Sequence, residues 1–231
     1  MSAQTLIGRV LAAAVLLFAV PAYSAVIMLP GNTVNFFYDD NQPGMAAYGT
    51  LTAVNDSIFA TPTGFRAESA DGINDMFSAL GTVIVVLKSG YKFESVTVAQ
   101  QGDYQLDGVG AAVTSSAILD VSDTAVPTTT VSTALGSTSD FTIQGSLTSW
   151  SSDATVDLST AMWNGVGSID LTLDSMLDAS TLNQGELAFI QNKLVGSGLM
   201  TVVTVPLPLP AGLWLFVSGF VMLFSSCRRR K

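Results

Sequence analysis

Apolar residues fall at every second position through Val156 and Leu158, with Thr155, Asp157 and Ser159 around them, and again through Ile169, Leu171 and Leu173, separated by Asp170 and Thr172. Phe141 and Ile143 flank Thr142 in the same way. A period of two places one face on a core and the other in water. Residues 155–159, 168–173 and 141–144 are therefore expected to be half-buried antiparallel strands. The run at 82–88 is different, because Val83, Ile84, Val85, Val86 and Leu87 are consecutive. It reads as a strand covered on both faces, turned by Ser89-Gly90 into a second strand at 91–99. In that second strand Tyr91 and Phe93 share one parity and Val96 and Val98 the other, so a bulge near Glu94 and Ser95 is needed to reconcile them.

Further strands are expected at 33–38, 48–54, 57–60, 110–121, 187–194 and 199–204. Turn clusters such as Asp39-Asp40-Asn41-Gln42-Pro43-Gly44 and Gln101-Gly102-Asp103 separate them. Short helices fit only 74–80 and 182–189. About ten short strands at this spacing predict an all-β fold, an antiparallel two-sheet β-sandwich with jelly-roll-like wiring. One stretch departs from the pattern. Residues 121–140 are rich in Ser and Thr, with Pro127 near their middle, which suits a flexible linker between two small β units. It equally suits a long loop or edge strand crossing between the sheets of one domain. One domain is preferred, because the 64 residues at 141–204 would make a marginal sandwich alone without disulfides.

Both ends of the chain lack these alternations. Residues 1–24 hold Arg9 as their only charge, an apolar run from Val10 to Val20, a break at Pro21, and small residues Ala22 and Ser24 at the minus-three and minus-one positions. That is the form of a secretory signal peptide, with cleavage expected after Ser24 or Ala25 by a signal peptidase at the secretory translocon. At the other end, residues 205–231 begin Val205-Pro206-Leu207-Pro208-Leu209-Pro210-Ala211. Each proline lacks an amide donor and pushes its predecessor toward extended backbone, so the motif is a stiff handle for a processing enzyme. Residues 211–227 are uncharged, and about 17 residues is the lower limit for a helix crossing a bilayer core. Trp214 suits an interfacial anchor, and Arg228, Arg229, Arg230 and Lys231 would stop transfer on the cytoplasmic side. These properties alone are equally those of a plain single-span membrane anchor on a periplasmic protein.

Motif, helix and terminal basic cluster together resemble the PEP-CTERM class of C-terminal sorting signals, in its VPLPA variant, found on proteins exported by Gram-negative bacteria. Two registers overlap here. Residues 205–208 supply VPLP followed by Leu209, and residues 207–211 supply LPLPA with Leu207 where the family has valine. The resemblance implies that the chain is a client of an exosortase, a membrane enzyme carrying its own catalytic cysteine. It also implies a place at the cell surface or in a biofilm matrix associated with exopolysaccharide. Residues 49–69, 102–108 and 188–193 are similar to segments recurring in small exported proteins with such tails. That similarity implies a β-rich surface domain and no active site.

Setting both ends aside leaves an ectodomain of residues 25–204 and changes the electrostatics. Five of the nine Lys and Arg residues lie in the end segments, so the ectodomain keeps four against all eighteen carboxylates, a net charge of −14. Such a surface repels nucleic acid and anionic lipid. The only cysteine, Cys227, sits in the tail, so the ectodomain must rely on core burial and not on a disulfide. There is no histidine, which removes Ser-His-Asp and Cys-His machinery and the commonest zinc ligands, and no enzymatic activity is expected. Calcium is the one cofactor with candidate ligands: Asp39, Asp40 and Asn41, and Asp71, Asn74 and Asp75, supply oxygens at short spacing. Neither group has EF-hand spacing, and Asx turns account for both. Trp150 and Trp163, with Tyr104, are candidate platforms for stacking on a sugar. A sandwich more often uses such rings in packing.

Overall fold

A computed structural model describes residues 26–137, 140–193 and 199–207. The signal segment at 1–24, the expected membrane helix at 211–227 and the basic residues at 228–231 lie outside the described residues. In chain order the elements are β1 (Val26–Pro30), β2 (Val34–Asp39), a one-turn helix α1 (Met45–Tyr48), β3 (Leu51–Val54), β4 (Ser57–Ala60), β5 (Arg66–Ala70) and β6 (Asp75–Leu87). There follow β7 (Tyr91–Asp107), β8 (Ala112–Asp123), β9 (Thr130–Ala134), β10 (Gly136–Ser137), β11 (Thr148–Asp157), a 3₁₀ turn (Ala161–Trp163), β12 (Ser168–Ser180), β13 (Leu187–Asn192) and β14 (Met200–Pro206).

The strands form two antiparallel sheets. One has the order β1-β2-β6-β12-β8-β9; the other has the order β10-β11-β7-β14-β4-β3, with β13 also on β7 and β5 on β13. The long strand β7 organises the second sheet. β11 covers one of its edges from Ser95 to Tyr104, while the other edge is shared end to end by β14 and β13. In the first sheet β12 lies between β6 and β8, paired to each over twelve positions.

Alternation explains the packing between them. Ile169, Leu171, Leu173, Leu177 and Ala179 of β12 are all buried, and they share one continuous core with Val96, Val98, Tyr104 and Leu106 of β7 and with Ala188 and Ile190 of β13. Each fully buried leucine or isoleucine contributes roughly 1.5–3 kcal/mol. One inward position of β12 is polar, Ser175. Its hydroxyl accepts from Nε2 of Gln100 on β7 at 2.6 Å and shares a hydrogen bond of 3.0 Å with Tyr48 of α1, joining both sheets through the core. Burial pushes the Tyr48 hydroxyl up to about 12, against a smaller opposing effect of the Ser175 bond.

Several expectations need correction. Residues 74–80 form no helix, because the segment from Asp75 onward pairs with β12 as the start of β6. Residues 182–189 form no helix either; 182–186 are a loop and 187–189 are the start of β13. A single turn has too few internal hydrogen bonds to compete with a long strand ladder. Among the described residues the α-helix is α1, at Met45–Tyr48, between the turn expected at 39–44 and the strand expected from Tyr48. Phe141 has φ of 47° and residues 141–144 are not a strand. Their alternation is met instead by packing: Phe141 stacks edge-on to Tyr104 with centroids 5.1 Å apart. The run at 82–88 is buried on one face only. Val83 and Val85 point into the core, while Ile84 and Val86 are half-buried on the outer face, where Phe37 of β2 stands opposite Ile84.

The irregularity in β7 is at Glu94. Pairing with β14 steps from Ser95 opposite Val203 to Phe93 opposite Thr204, leaving Glu94 as the extra residue, and the buried parity changes between Phe93 and Val96. Residues 121–140 carry the end of β8, all of β9 and β10 among their described residues. β9 pairs with β8 in one sheet and β10 with β11 in the other. The chain thus passes from sheet to sheet here through buried Leu135.

Candidate functional site

The chain leaves the sandwich at one end of β7, and the local sequence explains how. β14 runs antiparallel to β7 with Val205 opposite Lys92 and Pro206 opposite Tyr91, after which the Leu207 N–H donates to the Gly90 carbonyl at 2.8 Å. Pro206 has no N–H to donate, which suits the last position of a strand with a single neighbour. β14 pairs with β4 only at Met200 and Thr201, the Val202 N–H adds one bond to the Asp56 carbonyl at 2.9 Å, and beyond Val202 the strand is paired with β7. Its side chains add one tie: Thr204 Oγ1 donates to Thr33 Oγ1 at 2.7 Å, and Thr33 Oγ1 donates to Asp56 Oδ2 at 2.7 Å. Asp56 Oδ1 also accepts from the Thr33 N–H at 2.9 Å.

Beside this exit lies a cleft of about 380 Å³, walled by Tyr91, Phe93, Leu158, Trp163 and Leu207, with Lys88 and Lys92 at its margin. Its neighbourhood gathers two of the four ectodomain cations. Arg66 pairs with Glu68, and Lys193 pairs with Asp103 at 2.7 Å, which holds the Asp103 carboxyl below its ordinary range. Lys88, by contrast, donates to the Gly31 carbonyl, and Lys92 is exposed.

The opposite end of β7 is closed by a carboxylate. Glu186 is 9% exposed. Its Oε1 accepts from the Gly110 N–H at 2.7 Å and from Asn183 Nδ2 at 2.9 Å, and its Oε2 accepts from the Leu182 and Asn183 N–H groups at 3.0 and 2.8 Å. The Asn183 side chain, then the Gly110 amide, hold the carboxyl down to about 2. Asp71 joins the same knot, accepting from the Gly185 N–H at 2.7 Å, and Thr181 Oγ1 accepts from the Gly72 N–H at 2.9 Å. Three connections, those after β5, β7 and β12, are thereby fastened together.

Most of the candidate cation ligands are engaged in hydrogen bonds within the protein. Asp39 Oδ1 accepts from the Asn41 N–H at 2.9 Å and Asp40 Oδ1 from Asn41 Nδ2 at 2.9 Å. In the other group Asp71 caps Gly185, Asp75 Oδ2 accepts from the Glu68 N–H at 2.9 Å, and Asn74 is exposed. Among the described residues no group of three or more His, Cys, Asp or Glu converges as a metal site would require.

The two tryptophans are correctly placed for packing and not for stacking on a sugar: Trp150 is 2% exposed and Trp163 4%. Trp150 lies over Gly102 and its indole N–H donates to the Gln191 carbonyl at 3.1 Å, while its ring meets Phe141 at 6.1 Å. A Cβ on Gly102 would stand 1.8 Å from the Gln191 oxygen and 2.8 Å from the indole nitrogen, so only glycine permits this crossing. Trp163 sits in the 3₁₀ turn behind the cleft, and Tyr104 is 2% exposed in the core.

Of the seven residues in the proline motif, Val205, Pro206 and Leu207 are described and lie together at the exit; Pro208, Leu209, Pro210 and Ala211 lie outside the described residues. Sequence reasoning passed over Ser175, Gln100 and Glu186. The first two had a visible signal, since each interrupts a row of apolar residues on an inward parity. Glu186 had none beyond the single turn residue Gly185 before it.

No family model matches the chain, and no curated protein does. Among solved structures it is similar to the infectious bursal disease virus VP2 subviral particle, at 15% identity and a TM-score of 0.22, over 74% of this chain and 48% of that one. The chain spans about half the length of that protein, and a likeness this low carries no argument.

Proposed function

We propose that this chain is an exported structural or interaction protein: a β-sandwich held at the inner membrane as a precursor by its C-terminal segment, processed by an exosortase, and delivered to the cell surface or extracellular matrix. The observation that carries the proposal is the continuity of β14 with the proline motif. The last strand of the sandwich runs directly into Pro206 and Leu207 at an exposed end, so the motif, the apolar run and the basic cluster follow with no intervening domain. The role of this chain in processing is to be recognised. Its prolines form the handle, residues 211–227 retain the precursor in the membrane, and Arg228, Arg229, Arg230 and Lys231 fix its direction. The partners are the secretory translocon and signal peptidase, the exosortase transiently, and exopolysaccharide in the matrix; nucleic acid is not among them. Passage of the chain between sheets at each step from β5 to β8 supports a jelly-roll-like wiring for the exported domain.

A carbohydrate-binding module would need an open aromatic face. The two rings nominated for it are buried, so export and anchoring is the reading the geometry supports better. The competing plain anchor differs in one observable, the fate of the tail. An epitope-tagged ectodomain is expected to have a lower C-terminal mass in cells with an exosortase than in cells without one. Retention of residues 205–231 in both would leave the plain anchor standing.

A further inference from the structure

We propose that the cleft beside Trp163 is a binding site for a small organic carboxylate with a ring-sized apolar body. The proposal stands apart from the sorting reading and would hold for a plain membrane anchor as well. The cleft lies between the β6–β7 turn and the connection that carries the 3₁₀ turn from β11 to β12, and its volume of about 380 Å³ is of the size that small-molecule sites occupy. Its walls are apolar, formed by Tyr91, Phe93, Leu158, Trp163 and Leu207. Leu207 is 50% exposed, so a guest with an apolar body would cover surface that now faces water.

Charge selects the sign of the guest. The ectodomain holds eighteen carboxylates against four cations, yet the fifteen residues around the cleft include two lysines and no Asp or Glu. The carboxylates nearest in sequence, Glu94 and Asp157, lie outside its wall, and Asp157 Oδ1 accepts from the Ser159 N–H and hydroxyl at 2.8 and 2.7 Å. Lys88 uses one of its three N–H donors on the Gly31 carbonyl and Lys92 is exposed, so both ammonium groups have donors to offer. On a negative domain such a margin is a local positive field that draws an anion.

The back wall supplies a second, independent observation. Trp163 is 4% exposed, and its indole N–H is buried with no acceptor in the protein, whereas the indole of Trp150 donates to Gln191. Proteins leave few such donors unmade, because each has lost water and gained no partner. On the rim, a Cβ at Gly165 or Gly167 would meet no atom within 4 Å beyond the adjacent residues, so the turn holding Trp163 has room to shift and present the N–H to a guest. A carboxylate on a ring meets every demand of the site: one oxygen accepts from the indole, the other faces the lysines, and the ring lies among Tyr91, Leu158 and Leu207. Inorganic phosphate has the charge and nothing to cover the walls; a neutral ring has the reverse.

The test uses the full chain in detergent micelles, isotope-labelled at its three tryptophan indole nitrogens and titrated with benzoate, benzyl alcohol and inorganic phosphate. Benzoate is expected to move the Trp163 indole resonance downfield and to leave that of Trp150, already bonded to Gln191, in place. Benzyl alcohol and phosphate are expected to bind about fivefold more weakly, the factor that one exposed ion pair can supply. Lys92→Gln alters an exposed side chain and keeps the fold, and it is expected to weaken benzoate about fivefold. Trp163→Phe keeps an aromatic ring and removes the donor, and saturation transfer to benzoate is expected to fall with it. A Trp163 resonance that benzoate leaves unmoved, equal binding of benzyl alcohol, or benzoate affinity unchanged in both variants would each overturn the proposal. An equal shift of the Trp214 resonance would assign the effect to the micelle and overturn it too.

Discussion

The two ends of β7 are each served by a carboxylate, but the carboxylates do different work. At the closed end Glu186 gathers donors from the β7–β8 turn and from its own loop, and Asp71 brings in a third connection. At the exit end Asp56 organises the turn before β2, and the last strand reaches it through the Val202 N–H, which donates to the Asp56 carbonyl at 2.9 Å, and through the hydroxyl relay of Thr204 and Thr33. One end is cross-tied among several connections; the other, beyond Val202, is held by one neighbouring strand and one relay. The difference teaches that stability in this sandwich is graded along β7, with the loosest attachment where the chain departs.

The most damaging way to break the comparison is to strike between the two ends. Gly102→Ala forces a Cβ against the Gln191 carbonyl, 1.8 Å away, and displaces the Trp150 indole. Overpacking of this kind costs about 1–3 kcal/mol, and a denaturant titration should show the whole domain, not one end, losing stability by that amount. A midpoint equal to wild type would mean that β13 moves aside freely and that β7 does not couple the ends.

Glu186→Gln should loosen the closed end next. Its folded carboxyl lies at about 2 against an ordinary value of 4.5. Because the folded value is depressed, its contribution is complete above the unfolded value and is lost as pH falls toward 2. The variant should therefore melt below wild type at pH 7, with the gap closing between about pH 4.5 and 2. A gap constant across that range would assign the effect to packing and not to the carboxylate.

Much of the strand framework was legible in advance, and the illegible part has a common cause. Period-two alternation located β12 and the end of β11, and the parity conflict between Phe93 and Val96 placed the irregularity at Glu94. Long-range hydrogen bonding was not legible. The acid-rich turns at Asp39 and Asp71 offered the composition of a cation site, yet their oxygens are taken by backbone N–H groups, at Gly185 from 114 residues away. Trp150 gave the same lesson in the core: its ring type suggested a platform, whereas the bare backbone of Gly102 beneath it decided its burial. Residues 141–144 had the right alternation, yet they form no strand and Phe141 packs against Tyr104 instead.

Hydrogen exchange compares the ends without altering either. The Leu207 amide, bonded to Gly90 at the tip of a strand with one neighbour, should exchange faster than the Gly110 and Asn183 amides bonded to Glu186. The reverse order would place the loose end at the knot and remove the basis for the gradient.

The smallest expected effect isolates the relay. Thr204→Val keeps the shape and strand preference of the residue and removes only the hydroxyl that reaches Thr33. Thr33 retains its bonds to Asp56, so no donor is stranded. A net hydrogen bond contributes about 0.5–1.5 kcal/mol, and this one is only part-buried, so global stability should fall by about 0.5 kcal/mol at most. Locally the outcome is sharper: Leu207 exchange should accelerate while Gly110 exchange follows only the small global change. Equal acceleration at both amides would show that the exit strand opens with the whole sandwich. The folded domain would then offer its last strand no independent release, and Val205 and Pro206 would be as firmly held as the core of β7.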